Sequence, residues 1–265
     1  MSQYLLPILY TLFVWWFSTG VILYLNGLPR WTFGWTMGAS TVLLVLALVG
    51  LYATRNDTRV SGAYLAFTCA IMVWAWQEVA FLLGYVTGPR RTPCPAGAQG
   101  WRRAGYALQT LLHHELALLV LGALVVLLAY DGSNHTGLFT FAILWVMRQS
   151  AKLNVFLGVR NLNEAFLPAH LKYLQTYFRR RSMNSLFPVS VAVSTWLAVL
   201  VWQGAMAESV SAFQATALTF AGTLLSLAIL EHWFLVLPLP SENLWNWGLR
   251  SRAVTPAQGP APKRL

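Results

Sequence analysis

Charged residues are scarce in this chain, and acidic residues are the scarcest. Only 10% of its 265 residues are charged, with 18 Lys and Arg against 8 Asp and Glu, and 57% are hydrophobic. Such a composition excludes an ordinary soluble domain and indicates a membrane protein. The two cysteines, Cys69 and Cys94, form no CxxC pair, so the sequence predicts no disulfide framework.

Several recognisable motifs are also missing. The sequence shows no nucleophilic triad, Walker loop or Rossmann turn, and Gly20, Gly34 and Gly38 are not spaced as GxGxxG. The basic residues lie in membrane-proximal stretches, which argues against a nucleic-acid partner. Residues 1–25 lack the basic start and small-residue cleavage site of a signal peptide, so we expect the first helix to be retained as an anchor.

Long apolar runs make up most of the sequence, and each is long enough to cross a bilayer as a helix. They predict an all-α polytopic membrane helical bundle with about seven transmembrane helices, at roughly 5–25, 35–53, 62–86, 104–130, 137–157, 186–206 and 210–237. Thirteen tryptophans fit aromatic belts at the two membrane surfaces. We predict a single transmembrane domain over residues 1–252 and a disordered cytoplasmic tail over 253–265.

The distribution of Lys and Arg among the loops predicts the orientation. One side of the predicted bundle carries only Arg55 and Arg59. The opposite side carries Arg30, Arg90, Arg91, Arg102, Arg103, Arg160, Lys172, Arg179, Arg180, Arg181, Arg250, Arg252, Lys263 and Arg264. By the positive-inside rule, the N-terminus is predicted to be periplasmic and the C-terminus cytoplasmic.

The connection between spans five and six is too long for a simple turn. Apolar residues recur along it at Phe166, Leu167, Leu171, Leu174 and Phe178, and polar residues lie between them. The pattern predicts an amphipathic helix in the cytoplasmic interface, with the basic cluster at 179–181 directed toward anionic headgroups.

Ionisable residues inside the apolar runs are the main candidates for function. The run from 104 to 130 contains His113, His114 and Glu115, and the other members are Glu78, Arg148, Lys152, Glu231 and His232. Insertion scales place the cost of a central charge at about 2.5–3.5 kcal/mol, so such groups normally face a bundle interior or a partner. Counted from the predicted span ends, these residues all lie about 8–14 Å inside the predicted cytoplasmic boundary of the membrane. We therefore predict that they meet in one polar layer, with Asn163, Glu164 and His170 at its cytoplasmic mouth.

Three interpretations of this predicted layer stay open. Carboxylates and imidazoles from several helices can hold one or two metal ions, and the candidate ligands are Glu78, His114, Glu115, Glu164, His170, Glu231 and His232. Alternatively, a neutral His113 or His114 can coordinate the magnesium of a chlorin pigment. In the third interpretation, Arg148 and Lys152 neutralise two of the glutamates in a structural ion-pair network.

Four short motifs follow one another along the chain, namely Trp76-Gln77-Glu78, His113-His114-Glu115, Arg160-Asn161-Leu162-Asn163-Glu164 and Glu231-His232-Trp233. Their order and spacing resemble the PuhE-type photosynthetic complex assembly family of purple phototrophic bacteria. The resemblance implies an assembly factor for the reaction centre and its light-harvesting antenna, or a role in bacteriochlorophyll supply. Implied partners are reaction-centre or antenna subunits or other assembly factors, in the inner or intracytoplasmic photosynthetic membrane. It implies no catalytic mechanism and no assigned ligands.

A rival hypothesis from another class is a metal-dependent, di-iron-like membrane oxidoreductase acting on a lipophilic pigment precursor. It would need the same carboxylates and histidines as metal ligands. A proton-coupled transporter ranks last, because ionisable residues are almost absent from the outer half of the predicted spans.

Overall fold

A computed structural model describes residues 2–254 of the chain, and within that range the fold is entirely helical. Eight α-helices follow one another: α1 Ser2–Asn26, α2 Phe33–Thr54, α3 Val60–Leu82, α4 Gly100–Ala129, α5 Thr136–Leu157, α6 Leu186–Ala205, α7 Ala212–Val236 and α8 Asn246–Val254. Four short 3₁₀-helices lie between them, at Arg30–Thr32, Glu164–Phe166, Ala169–Tyr177 and Ser241–Trp245. The all-α prediction is confirmed.

Six of the described helices are long and apolar enough to cross a membrane, namely α1, α2, α3, α4, α6 and α7. Helix α5 covers the predicted fifth span but is not among them. Polar residues interrupt its second half, and they are Arg148, Gln149, Ser150, Lys152 and Asn154. A multi-pass membrane protein is therefore supported, while the seventh crossing and the orientation stay predictions.

Helices α3 and α7 form the centre of the bundle, and α1 and α5 pack against both. Phe67 of α3 and Phe220 of α7 are completely buried and stack with ring centroids 4.2 Å apart. Tyr10 of α1 and Tyr64 of α3 complete this aromatic core. The outer faces of α2, α4 and α6 expose mainly Leu and Val, as expected for surfaces in contact with lipid tails.

The α5–α6 connection is helical and amphipathic, but its main element, Ala169–Tyr177, is a 3₁₀-helix. Leu171, Leu174 and Tyr177 are its buried residues, and a spacing of three matches the three residues per turn of this helix. Leu171 and Leu174 pack on Phe81 and Leu82 at the end of α3. The apolar side of the predicted interfacial helix therefore faces the bundle instead of lipid.

The segment after α7 folds back onto α1, which the sequence did not predict. Trp245 is buried, and its indole N–H donates to the Trp16 carbonyl at 2.9 Å. Gly20 lies directly against the ring of Trp247, so that a side chain there would collide with it. Helix α8 is thus part of the single helical unit. The predicted disordered tail, apart from its first two residues, lies outside the described residues.

Asn184 fixes both ends of the α5–α6 connection. Its amide nitrogen donates to the Asn154 carbonyl at 3.1 Å and to the Gly158 carbonyl at 3.0 Å, and its Oδ1 accepts from Leu186 N–H at 2.8 Å. The side chain therefore closes the C-terminal end of α5 and caps the start of α6.

We expect the Asn184→Ala variant to lose about 1–3 kcal/mol of stability, because buried carbonyls lose their donor. The α5–α6 connection should also open more often. Trypsin cleavage at Arg179–Arg181 in the detergent-solubilised protein should then be faster by about tenfold, the ratio given by about 1.4 kcal/mol of local opening free energy. The matched control is Ser185→Ala, since the neighbouring Ser185 is exposed and makes no side-chain cap. Equal cleavage rates in the two variants would contradict the assigned role.

Candidate functional site

Helix α5 brings two basic side chains to carboxylates of two other helices. Lys152 donates to Glu115 of α4 at 2.7 Å, and Gln149 donates to the other oxygen of the same carboxylate at 2.6 Å. Arg148 reaches Glu78 of α3 at 3.3 Å. Two of the predicted glutamates are therefore neutralised by bases from α5, as the ion-pair interpretation expects.

His114 points into the bundle and is held by Gln77 of α3. The Gln77 amide nitrogen lies 2.9 Å from both His114 Nδ1 and the His114 carbonyl oxygen. Because a carbonyl only accepts, this nitrogen is the donor in both contacts, and Nδ1 must accept. The proton of the neutral imidazole is then assigned to Nε2. The His114 side chain is 2% exposed, and Phe81 packs on its ring.

His113 points the other way. It is exposed on the outer surface of α4, where Leu116 and Val120 are also exposed. Within the described part of the chain, no hydrogen bond reaches either nitrogen of its ring. Adjacent helical residues are separated by about 100° around the axis, so only one of the two histidines can face the interior.

Glu231 and Arg148 show that the polar layer is open on one side. Glu231 accepts from the indole N–H of Trp15 at 2.6 Å, and its charge interacts with those of Arg148 and Glu78. Arg148 is 46% exposed and Glu231 is exposed as well. Both nevertheless lie on helical faces that are otherwise buried, two turns from Phe141 (2% exposed) and Leu224 (3%) respectively. The polar layer is therefore exposed at the place where these residues of α1, α3, α5 and α7 meet.

His232 is buried, and both of its ring nitrogens are occupied. Nδ1 lies 2.8 Å from the Ala228 carbonyl, so it carries the proton, and Nε2 accepts from the Ser150 hydroxyl at 2.9 Å. It therefore lacks a free lone pair for a ligand, and we assign it a structural role. The charged residues of the layer form one group, because Lys152 interacts electrostatically with Glu115, Arg148 and Glu78.

The three residues predicted at the mouth of the layer do not reach into it. Glu164 pairs with Arg180 at 2.8 Å on the surface, and Asn163 occupies the left-handed region with φ 51° before the 3₁₀-helix Glu164–Phe166. His170 packs against Gly84 and Phe33. These side chains do not extend toward the polar layer, because the α5–α6 connection packs along its own length against the bundle end.

His170 has an unusual electrostatic environment. Burial and the nearby positive charges of Arg30, Arg91 and Arg252 lower its pKa below the ordinary value of a histidine. The carbonyl of Leu82 acts in the opposite direction. The Nε2 atom is buried without a hydrogen-bond partner of good geometry in the described part of the chain. These effects favour the neutral form of the imidazole.

The proposed metal ligands do not form a metal site. Among the described residues, no three His, Cys, Asp or Glu side chains come together in a way that could hold a metal ion. The physical reason lies in the partners: Glu78, Glu115 and Glu164 each face a base, and both histidines of the interior have their Nδ1 engaged. The di-iron-like arrangement required by the oxidoreductase hypothesis is thus not supported by this geometry.

Four members of the network were not singled out from the sequence as site residues: Trp15, Gln77, Gln149 and Ser150. Gln149 and Ser150 had a detectable signal, since they are polar residues adjacent to Arg148 in an apolar run. Gln77 also had one, because it precedes Glu78 within span three. Trp15 had no such signal, because tryptophans are common in membrane helices and its partner Glu231 lies on a different helix.

Fold and site together define a class, the polytopic helical membrane proteins whose interior carries a layer of paired ionisable side chains. The chain belongs to the family described as protein of unknown function DUF3623, whose model matches residues 1–255. It is 42% identical over 264 residues to a Rhodobacter capsulatus protein described as an uncharacterized 30.4 kDa protein in the puhA 5′ region. That match covers 96% of this chain and 95% of the relative. No solved structure matches this chain significantly.

Proposed function

We propose that this protein is a membrane-embedded assembly factor for the photosynthetic reaction centre and its light-harvesting antenna. The observation that carries the proposal is the position of the relative in the puhA 5′ region, over a match that covers nearly the whole of both chains. The PuhE-type motifs in the sequence point to the same role. The photosynthetic membrane is the corresponding proposed location, and reaction-centre or antenna subunits are the proposed partners.

The polar layer supports a structural function of its charges better than a catalytic one. Its carboxylates are paired with Lys152, Arg148 or the Trp15 indole, and its buried histidines are hydrogen-bonded. A network in which most members have partners fixes the relative positions of α3, α4, α5 and α7. We propose that it keeps the bundle in one arrangement while the outer surfaces of the helices engage partners.

For bacteriochlorophyll, His113 is the histidine whose surroundings fit. Magnesium in a chlorin needs an imidazole nitrogen with a free lone pair and space for the flat macrocycle beside it. His113 is exposed and without a partner in the described part of the chain, and the neighbouring Leu116 and Val120 leave an apolar surface exposed. His114 fits poorly, because Gln77 occupies Nδ1 and the protein encloses the ring. We therefore propose His113 as the pigment ligand.

The experiment is deletion of the gene in a phototrophic host, followed by complementation. Deletion should lower the amount of assembled reaction-centre and antenna complex severalfold and change the pool of free pigment. Both are measured by absorption spectra of membranes and of purified complexes. Unchanged levels of both would reject the assembly role.

The His113→Leu variant tests the pigment step separately. We expect the purified variant to retain less than about a tenth of the bacteriochlorophyll that accompanies the wild-type chain, since loss of a metal ligand typically costs more than about tenfold in affinity. His135→Leu is the matched control, because His135 immediately precedes α5 at the opposite end of the bundle. Equal pigment content in both variants would remove His113 from the proposal and leave the assembly role standing.

A further inference from the structure

The end of the bundle that carries most of the arginines contains a cluster centred on His170. We call His170, Arg30, Arg91 and Arg252 the His170 cluster. Its members come from four separate places: the 3₁₀-helix Ala169–Tyr177, the 3₁₀-helix after α1, the loop after α3, and α8. The His170 ring packs against Gly84, whose carbonyl accepts from Arg91, and against Phe33, which follows Arg30 by three residues. The positive charges of all three arginines act on His170, and no Asp or Glu is among the groups acting on it. Like charges therefore accumulate here without an acidic partner.

The arginines of the His170 cluster differ in how many hydrogen bonds their side chains make within the protein. Arg252 donates to Asn26 Oδ1 at 2.7 Å and to the Phe166 carbonyl at 2.9 Å, and it also donates to the Ala165 carbonyl. It therefore ties α8 to the α5–α6 connection. Arg91 makes only a long contact, 3.3 Å, to the Gly84 carbonyl, beside the His170 ring. Arg30 is exposed, and within residues 3–252 no hydrogen bond from its side chain is present.

We propose that Arg30 and Arg91 bind a phosphate group, with Arg252 behind them contributing to the positive field and the neutral His170 ring beside them. Guanidinium groups with free N–H donors bind phosphate oxygens in paired hydrogen bonds, and such charge-assisted bonds are strong. Repulsion among the uncompensated arginines costs stability in the free protein, and a bound dianion or monoanion removes that cost. The phosphate comes from the headgroup of an acidic lipid or from a soluble phosphate compound.

The position of the His170 cluster relative to the membrane surface favours a lipid headgroup as the source of the phosphate. Trp31, the residue after Arg30, is 76% exposed, and Trp35 near the start of α2 is 79% exposed. Trp101 at the same end of the bundle is 92% exposed. Exposed tryptophans of membrane proteins lie at the level of the lipid headgroups. Arg30 and Arg91 are thus placed where a headgroup phosphate is already present, at the predicted cytoplasmic surface.

The experiment measures lipid binding by the full-length chain. Purified protein is delipidated in a neutral detergent and titrated with phosphatidylglycerol, and bound lipids are counted by native mass spectrometry. The double variant Arg30→Gln/Arg91→Gln is compared with Arg102→Gln/Arg250→Gln, which removes two exposed arginines from the same end of the bundle and so loses the same charge. We expect the first pair to weaken the tightest binding about thirtyfold or more and the control pair about threefold or less.

A second arm separates the two sources of phosphate. Inorganic phosphate is added to protein in nanodiscs of phosphatidylcholine alone, and its binding is followed by the chemical shift of the His170 ring. A shift with phosphatidylglycerol but not with inorganic phosphate identifies a lipid site, and a shift with both identifies a general phosphate site. Equal weakening in the two double variants, or no weakening in either, would overturn the proposal. Circular dichroism of each variant establishes that the helices are intact.

Discussion

The Lys152→Met variant should be strongly destabilised, by about 3–5 kcal/mol, which is the usual cost of removing one partner from a buried ion pair. Lys152 and Glu115 lie 2.7 Å apart, and both side chains are about one-fifth exposed. Without the ammonium group, the Glu115 carboxylate keeps only the Gln149 amide as a donor, inside a bundle that the membrane surrounds. Unfolding of the protein by sodium dodecyl sulfate in mixed micelles, followed by circular dichroism, measures the loss.

The double variant Lys152→Met/Glu115→Gln is the control for that measurement. It removes both charges, and we expect it to regain most of the lost free energy, ending within about 1 kcal/mol of the wild type. Arg148→Met provides a second comparison, because the Arg148–Glu78 contact is longer and Arg148 is 46% exposed. An exposed pair contributes about 0–1 kcal/mol, so this loss should be much smaller. Equal losses for Lys152→Met and Arg148→Met would contradict the view that exposure of Arg148 weakens its ion pair.

The Gly88→Ala variant should also lose about 3 kcal/mol or more, through overpacking and broken backbone hydrogen bonds. A Cβ atom at Gly88 would lie 2.1 Å from the Gln109 carbonyl oxygen and 2.5 Å from the Thr110 carbonyl carbon of α4. Backbone atoms within a helix cannot move aside as a flexible side chain can. The loop after α3 would have to leave α4, and the bond from His114 N–H to the Thr87 carbonyl, 2.9 Å long, would break.

Gly105→Ala on the same helix is the matched control for Gly88→Ala. No heavy atom lies within 4 Å of a Cβ built at Gly105, so the change should be neutral or stabilise the helix by up to about 1 kcal/mol. Hydrogen exchange of the His114 amide gives an independent readout and should be faster by about a hundredfold in Gly88→Ala alone. Retained protection of that amide would show that the loop and α4 stay together.

The helices themselves were largely determined by the sequence. Apolar runs long enough for a bilayer predicted α1 to α7 with small errors at their ends, for example at α3, which ends at Leu82 and not at residue 86. The reason is physical: inside lipid a backbone has few solutions besides a helix, so length and composition nearly suffice. The sequence also identified the ionisable residues of the runs, because any charge there is conspicuous.

The partners of those residues were decided only by the tertiary structure. In a soluble helix, polarity marks the outer face, but here both the lipid-facing and the interior faces are apolar, so periodicity could not tell which of His113 and His114 faces inward. Gln77 on a different helix holds His114 and so decides that His114 faces inward. Lys152 pairs with Glu115, and Arg148 pairs with Glu78. Ser150 forms a hydrogen bond with His232.

The sequence by itself determined that this chain is helical and fits a multi-pass membrane protein, and it identified the costly polar groups in its apolar runs. Only the packed structure decided that Glu78 and Glu115 pair with Arg148 and Lys152, that Glu164 pairs with Arg180 on the surface, and that α8 returns to α1. The physical reason is that burial in lipid acts on each residue separately, whereas an ion pair or a hydrogen bond depends on the distance and angle between residues far apart in the chain.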